Sequence, residues 1–261
     1  MIFAPRRLWF FADGLRRRGR LSVLLGILCA FFLADILLPP PIDRASDVSA
    51  IVTDRQGYWL HAFATREGRW RFSANLDVID PIFVEELIAI EDKRFWSHWG
   101  IDPLAIARAL AFAVRSGKVS SGASTITMQT ARLLEPRPRN VGSKLIEMLR
   151  AAQLERRLTK REILELYLTL APYGGNLEGV RAASLIYFGK EPGLLAPAER
   201  ATLIALPQAP ETRRPDRLPE AAEAARASVL ARLVAAGRLD AKIAAEAGAA
   251  PIVGARREFP R

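Results

Sequence analysis

The 261-residue chain is half hydrophobic and one quarter charged, which is the composition of a folding protein and not of a disordered one. Its net charge of +10 favours an anionic partner: nucleic acid, a membrane surface or a phosphorylated substrate. One cysteine, Cys29, and two histidines, His61 and His98, exclude an intrachain disulfide framework, a Cys-rich zinc site, a two-Cys redox motif and a multi-His metal centre. Catalysis would therefore run mainly on carboxylates, hydroxyls, Lys and Arg.

Residues 1–20 hold Arg6, Arg7, Arg16, Arg17, Arg18 and Arg20 against Asp13, so half of the net charge lies there. Residues 21–38 are mostly apolar and contain one charge, Asp35. Eighteen helical residues rise about 27 Å, close to the roughly 30 Å of a hydrocarbon core. Basic residues ahead of the run place the N-terminus in the cytoplasm and the rest of the chain outside. Three prolines at 39–41 follow where a cleaved signal would show a small-x-small site, so the run reads as an uncleaved single-pass anchor. The basic start is then a topology signal, and nucleic acid is not the expected partner.

Residues 39–49 read as a linker. Two β-prone runs flank a turn at 54–57, and a third strand is expected at 70–72. From Asp80 the pattern is helical. Asp80-Pro81 is a cap followed by a first-turn proline, ahead of apolar spacing over 82–90. Asp102-Pro103 repeats the signal for a helix through Arg115 that Gly117 stops. Ser124 is the expected cap of the helix in GASTITMQTARLL. Ser143 opens SKLIEMLRAAQLERRL, and Thr159 with Glu162 forms a capping box before ILELYLTLA. Helices are expected at 197–206 and 219–236. Residues 236–261 turn Ala- and Gly-rich and read as a tail with a loose end. The expected architecture is one mainly α domain over 50–235 with a small β appendage near the membrane.

Three segments carry chemistry. In EDKRFWSHWG, Glu91 and Asp92 are adjacent acids at a helix end, followed by Phe95, Trp96, His98 and Trp99. A carboxylate against aromatic surface suits proton transfer, and the same pattern also describes a helix end over a core aromatic cluster. In GASTITMQTAR, Thr125, Gln129 and Arg132 are spaced by four and three and share one helix face. Such a face binds phosphate or sugar, or is simply solvated. In SKLIE, Lys144 and Glu147 share a face near a helix N-terminus. They form a surface ion pair, or a diphosphate site with Glu147 one turn deeper to hold a divalent cation. There is no phosphate-binding glycine loop, no Ser-x-x-Lys and no Lys-Thr-Gly, so no penicilloyl-serine site can be assembled. A Ser-His-Asp triad on His98 has no supporting pattern, and His61 reads as an ordinary residue of the β segment.

Together these segments resemble the glycosyltransferase family 51 domain of bacterial peptidoglycan synthases. EDKRFWSHWG matches every fixed position of the first family motif. GASTITMQTAR resembles the second, with Ala123 for a glycine, and SKLIE resembles the third, with Ser143 for the usual Arg. REILELYLTLAPYGGNLEGVRAAS resembles the fourth, with Thr169 for the usual Asn, and PAERATLIALPQAPETRRPDR resembles the fifth. The later wording is most similar to the penicillin-binding protein 1C branch, which normally carries a transpeptidase domain next. This chain is expected to be the glycosyltransferase half alone.

The resemblance implies a mostly α, lysozyme-like fold with a smaller lobe dipping into the bilayer; Phe95, Trp96 and Trp99 would suit that membrane-facing edge. It implies polymerisation of lipid II into β-1,4-linked glycan strands on polyprenyl diphosphate, by one inverting displacement. It assigns Glu91 as the base, with Asp92 as its orienting neighbour. Arg132 and Lys144 would stabilise the departing diphosphate, with Glu147 holding Mg²⁺ or Mn²⁺ or the leaving group. Ser124, Thr125 and Gln129 would position the donor, Phe95 would lie in the substrate site, and His98 would shape the loop. Arg139, Arg150 or a metal would replace the fork missing at Ser143. Expected partners are lipid II, the growing strand, the membrane and other cell-wall synthesis proteins. The expected location is the bacterial inner membrane, catalytic domain outside. The competing readings are a non-catalytic module that holds lipid II or recruits partners, and a lytic enzyme acting on finished glycan.

Overall fold

A computed structural model describes residues 35–116, 124–252 and 256–259, together with 22, 25, 26, 29, 32 and 33. It divides into two compact units, Met1–Pro40 and Pro41–Arg261. In the first, the described residues between 22 and 37 are helical, and Leu25, Phe32, Leu33, Ile36 and Leu37 are exposed. Among the described residues no helix is long and apolar enough to cross a membrane. The basic segment 1–20, about half of the anchor proposed at 21–38, and the helix stop at Gly117 lie outside the described residues.

The second unit begins with a short 3-10 helix (Ile42–Ser46), and a hairpin follows. Strand β1 (Ala50–Thr53) pairs antiparallel with β2 (Trp59–Phe63). The turn forms because Asp54 Oδ1 accepts from the backbone N–H of Gln56 (2.9 Å) and Tyr58 (2.8 Å), an Asx-type closure. The third expected strand does not extend this hairpin. Strand β3 (Trp70–Arg71) instead pairs parallel with β5 (Leu177–Glu178), and β4 (Pro172–Gly174) covers the other side of β5. The β region is thus no mere appendage, since one of its strands is part of the domain's interior.

Helix α1 (Pro81–Glu91) starts at Asp80, whose Oδ1 accepts from Ile82 N (2.9 Å), with Pro81 preset for the first turn. It is buried nearly all round: Phe83, Leu87, Ile88, Ala89 and Ile90 enter the core. Its one buried charge, Glu86, is matched by Arg200 (2.8 and 3.1 Å), which also reaches Asp80 (3.2 Å). Helix α2 (Pro103–Ser116) is the opposite case and buries none of its residues. Helices α3 (Ile126–Leu134), α4 (Val141–Arg157) and α5 (Lys160–Leu170) pack on one another, α5 closed at its start by the Thr159–Glu162 capping box. Helices α6 (Val180–Phe188), α7 (Pro197–Ala205) and α8 (Pro219–Ala235) complete the core, with α7 packed along α8.

Three local expectations change. The cap of α3 is Thr125, accepting from Met128 N (3.1 Å), and not Ser124. The cap of α4 is Asn140, accepting from Ser143 N (2.8 Å), so the helix starts before Ser143. The tail is not all loose. Asp240 caps a further helix, α9 (Ala241–Ala249), which packs on α7 and α8. Phe259 is buried among Trp59, Trp70 and Phe72, with ring centroids 4.7–5.8 Å away. The apolar area buried by this ring offsets part of the entropy of fixing the segment that carries it.

Candidate active site

Glu91 is the last residue of α1, where the buried helix reaches the surface. Its carboxylate accepts from two amides. Gln129 Nε2 of α3 binds Oε2 (3.0 Å), and Gln208 Nε2, just past α7, binds Oε1 (2.6 Å). The aromatic surface beside Glu91 is not the expected one. Two buried phenols, Tyr167 and Tyr173, are pushed up by burial and then by the charge of Glu91.

Asp92 does something else. It is buried, and its Oδ2 accepts from His98 Nε2 (2.8 Å) and from Ile126 N (2.9 Å) at the start of α3. Gly100 N donates to His98 Nδ1 (3.1 Å), so the ring proton sits on Nε2 and points at Asp92. Thr125 Oγ1 donates to Gly100 O (2.5 Å). Gly100 has φ +82, and a Cβ there would lie 2.9 Å from the Ala151 carbonyl of α4. These contacts fold the 92–100 loop against α3 and α4. Asp92 therefore holds the loop, and it also lines the second of two clefts beside Glu91. His98 is buried, joins Asp92 to Gly100 across the loop and lines neither cleft. Thr125 serves as cap and loop anchor and also lines the second cleft beside Glu91. Phe95 is fully buried under Lys160, whose Nζ lies 4.6 Å from the ring centroid, so it is core and not a substrate contact. Trp96 and Trp99 are exposed.

A cleft of about 790 Å³ opens beside Glu91. Gln129, Arg132, Ser124, Lys144 and Glu147 line it, joined by Arg139, Asn140, Gln208, Arg213 and Arg232. Lys144 Nζ bridges Ser124 Oγ (2.7 Å) and Glu147 Oε2 (2.9 Å), and Arg132 lies 3.8 Å from Glu147. Five cations against two carboxylates make this wall suited to a polyanion. A second cleft of about 430 Å³ shares Glu91, Ser124 and Arg232 with the first and runs along α2 past Lys93, Arg108 and Phe112.

The Glu147 carboxylate is engaged by the Lys144 ammonium and faces the Arg132 guanidinium, so a divalent cation there would compete with both. Of the substitutes for a fork at Ser143, Arg139 lines the cleft, whereas Arg150 is directed at Glu135 (2.9 Å) and Gln153 (2.9 Å).

The Transglycosylase family model matches residues 57–234. The chain belongs to the transglycosylase family. It is 45% identical over 228 residues to penicillin-binding protein 1C of Escherichia coli K12, covering 87% of this chain and 30% of that protein. Penicillin-binding protein 1A of Aquifex aeolicus is 41% identical over 168 residues, 64% of this chain and 23% of that one. A crystal structure of penicillin-binding protein 1A from Haemophilus influenzae aligns with 82% of this chain and 22% of its own, at TM-score 0.46 and 21% identity. The chain thus spans under a third of the length of these penicillin-binding proteins.

Within this transglycosylase chain, sequence reasoning missed Gln208, Arg213, Arg232 and Asn140. Gln208 and Arg213 lie in the fifth family segment, where no spacing marks a site. Arg232 sits on a helix whose charges look solvated. In the structure it donates to Ile90 O (2.7 Å) and closes the end of α1 beside Glu91.

Proposed function

We propose that this chain is a membrane-anchored peptidoglycan glycosyltransferase that polymerises lipid II. The observation that carries the reading is the single carboxylate, Glu91, at the junction of two clefts, one of them walled by cations. A displacement between two bulky lipid-linked sugars needs that layout: one base between a donor and an acceptor. The acceptor is the 4-hydroxyl of a terminal GlcNAc, and Glu91 takes its proton as the oxygen attacks the anomeric carbon of the donor. The C–O bond to the α-linked diphosphate breaks, and the new linkage is β, as a one-step inversion requires. Arg132, Lys144 and Arg139 stabilise the departing diphosphate, which with such charge beside it needs no proton donor. Gln129 and Ser124 position groups at the mouth. Because Glu147 is paired with Lys144, we assign the positive charge to these side chains, and no step is routed through a metal ion. Polymerisation that persists in a chelator supports that assignment; strict metal dependence refutes it.

The same reading gives the domain a lysozyme-like lobe and places it outside the cytoplasmic membrane. The basic N-terminus and apolar run support this placement, together with the unburied helix α2, which exposes Leu104, Leu110, Phe112 and Val114 near Trp96 and Trp99 in sequence. The test is polymerisation of labelled lipid II by the detergent-purified chain beside Glu91→Gln. Long lipid-linked polymer from the parent and none from the variant is expected. Released soluble fragments would indicate a lytic enzyme, and lipid II bound without turnover would indicate a holding module; either result overturns the reading.

A further inference from the structure

Gln208 is fixed in one orientation by two neighbours, Glu91 and Arg213. Its amide nitrogen donates to Glu91 Oε1 at 2.6 Å. Its amide oxygen accepts from Arg213 Nη1 at 3.3 Å, and the same Nη1 donates to Ala205 O at 2.8 Å, the last residue of α7. A guanidinium has no acceptor, so an amide flipped at Gln208 would set NH₂ against Arg213 and a carbonyl oxygen against a carboxylate. Both ends of the amide are therefore determined. With Gln129 on Oε2, the two amides grip the two oxygens of Glu91 from opposite elements, α3 and the turn after α7. A carboxylate held at both oxygens cannot swing about its terminal bond, and each oxygen keeps lone-pair capacity for an incoming hydroxyl.

We infer that Gln208, braced by Arg213, is a positioning residue that sets the orientation of the Glu91 carboxylate for proton abstraction. This rests on the proposed glycosyltransferase reading, in which Glu91 is the base. Gln208 is exposed to the cleft and buries nothing that the fold needs, so its replacement tests geometry and not folding. Arg213 has two roles that can be told apart. As a cation of the cleft wall it contributes to substrate binding, and as the brace of Gln208 it acts on Glu91 only through that amide.

The experiment compares the full chain in detergent with Gln208→Met, Arg213→Ala and the double variant, using labelled lipid II and separating kcat from KM. Gln208→Met keeps the side-chain length and removes both hydrogen bonds. Loss of a hydrogen bond to a charged group predicts a fall in kcat of about tenfold or more, with KM changed less than about threefold. Arg213→Ala is expected to raise KM and lower kcat in the parent. In the Gln208→Met background it is expected to raise KM alone, because the brace then has nothing to hold. Gln208→Asn, which keeps the amide but shortens its reach, should recover little. An unchanged kcat in Gln208→Met overturns the inference, as does a defect confined to KM or a kcat cost of Arg213→Ala that persists in the double variant. Absence of polymer from the parent chain overturns the glycosyltransferase reading and this inference together, and is distinguished by that lane alone.

Discussion

Replacing Arg71 by Met tests whether the junction between β3 and β5 holds the domain together. The Arg71 side chain is wholly buried. Its Nε and Nη2 donate to Glu178 Oε2 (2.8 and 2.5 Å), and its Nη1 donates to the carbonyls of Arg44 and Asp47 (both 2.8 Å). Methionine fills most of the volume but leaves Glu178 without its closest partner and two carbonyls without a donor. Breaking a buried pair from one side costs about 3–5 kcal/mol. Glu178 retains Arg69 at 3.6 Å and Arg44 at 3.8 Å, which holds the loss toward the lower end of that range. For a domain of this size the drop in Tm is roughly 6–20 °C. The assay is thermal unfolding of the full chain followed by circular dichroism, beside Arg161→Met as a control. The Arg161–Asp77 pair is half to three-quarters exposed, and its loss is expected to cost under about 1 kcal/mol. A Tm for Arg71→Met no lower than that of the control would refute the reasoning.

Two further outcomes are expected. Lys144→Met removes the ammonium that bridges Ser124 and Glu147 but, as a partly exposed pair, should leave Tm within a few degrees; its kcat/KM for lipid II should fall about 10–100-fold through loss of a charge-assisted contact to diphosphate, and a fall below threefold would remove Lys144 from the site. Phe259→Ala empties the ring position among Trp59, Trp70 and Phe72 and should destabilise by about 3 kcal/mol, read as a lower urea midpoint with an unchanged slope.

Helices were legible where a cap and a proline announced them. Asp80-Pro81 and Thr159 with Glu162 open α1 and α5 where the sequence says they should, because those signals act within one turn of backbone. One cap, that of α3, was misplaced where two candidates adjoined. Ser124 and Thr125 are both competent, and the choice falls to Thr125 because its hydroxyl can also donate to Gly100 O, a contact from another segment. Strands β3 and β5 have two residues each and lie over 100 positions apart, too short for periodicity and too distant for any local rule. The same distance hid Gln208 from Glu91, 117 positions away. For the site itself, spacing alone left Glu91, Gln129, Arg132 and Lys144 between function and a solvated surface. The family motifs separated them, and the structure brings all four to one cleft. Motif membership did not separate residues that only touch a cleft from residues that build it: Phe95 and His98 lie within the same motifs and face inward, and Asp92 and Thr125 line the second cleft while also holding the loop to α3.

That division has a physical reason. A base that must meet a hydroxyl on a mobile lipid-linked sugar gains rate only if its own position is settled beforehand. Glu91 sits at the end of a helix fixed at both ends. Arg200 ties Glu86 and Asp80 near its start, and Arg232 takes the Ile90 carbonyl at its finish. The following residue, Asp92, clamps the loop onto α3 through His98 and Ile126 N. The helix can neither rotate about its axis nor slide along it without breaking buried charged contacts, so the remaining freedoms are the three side-chain torsions of Glu91. Gln129 and Gln208 act on those torsions. Inward-facing motif residues thus set where the carboxylate is, and the two amides set which way it points. A substitution of the first kind should cost stability and activity together, whereas one of the second kind should cost activity alone.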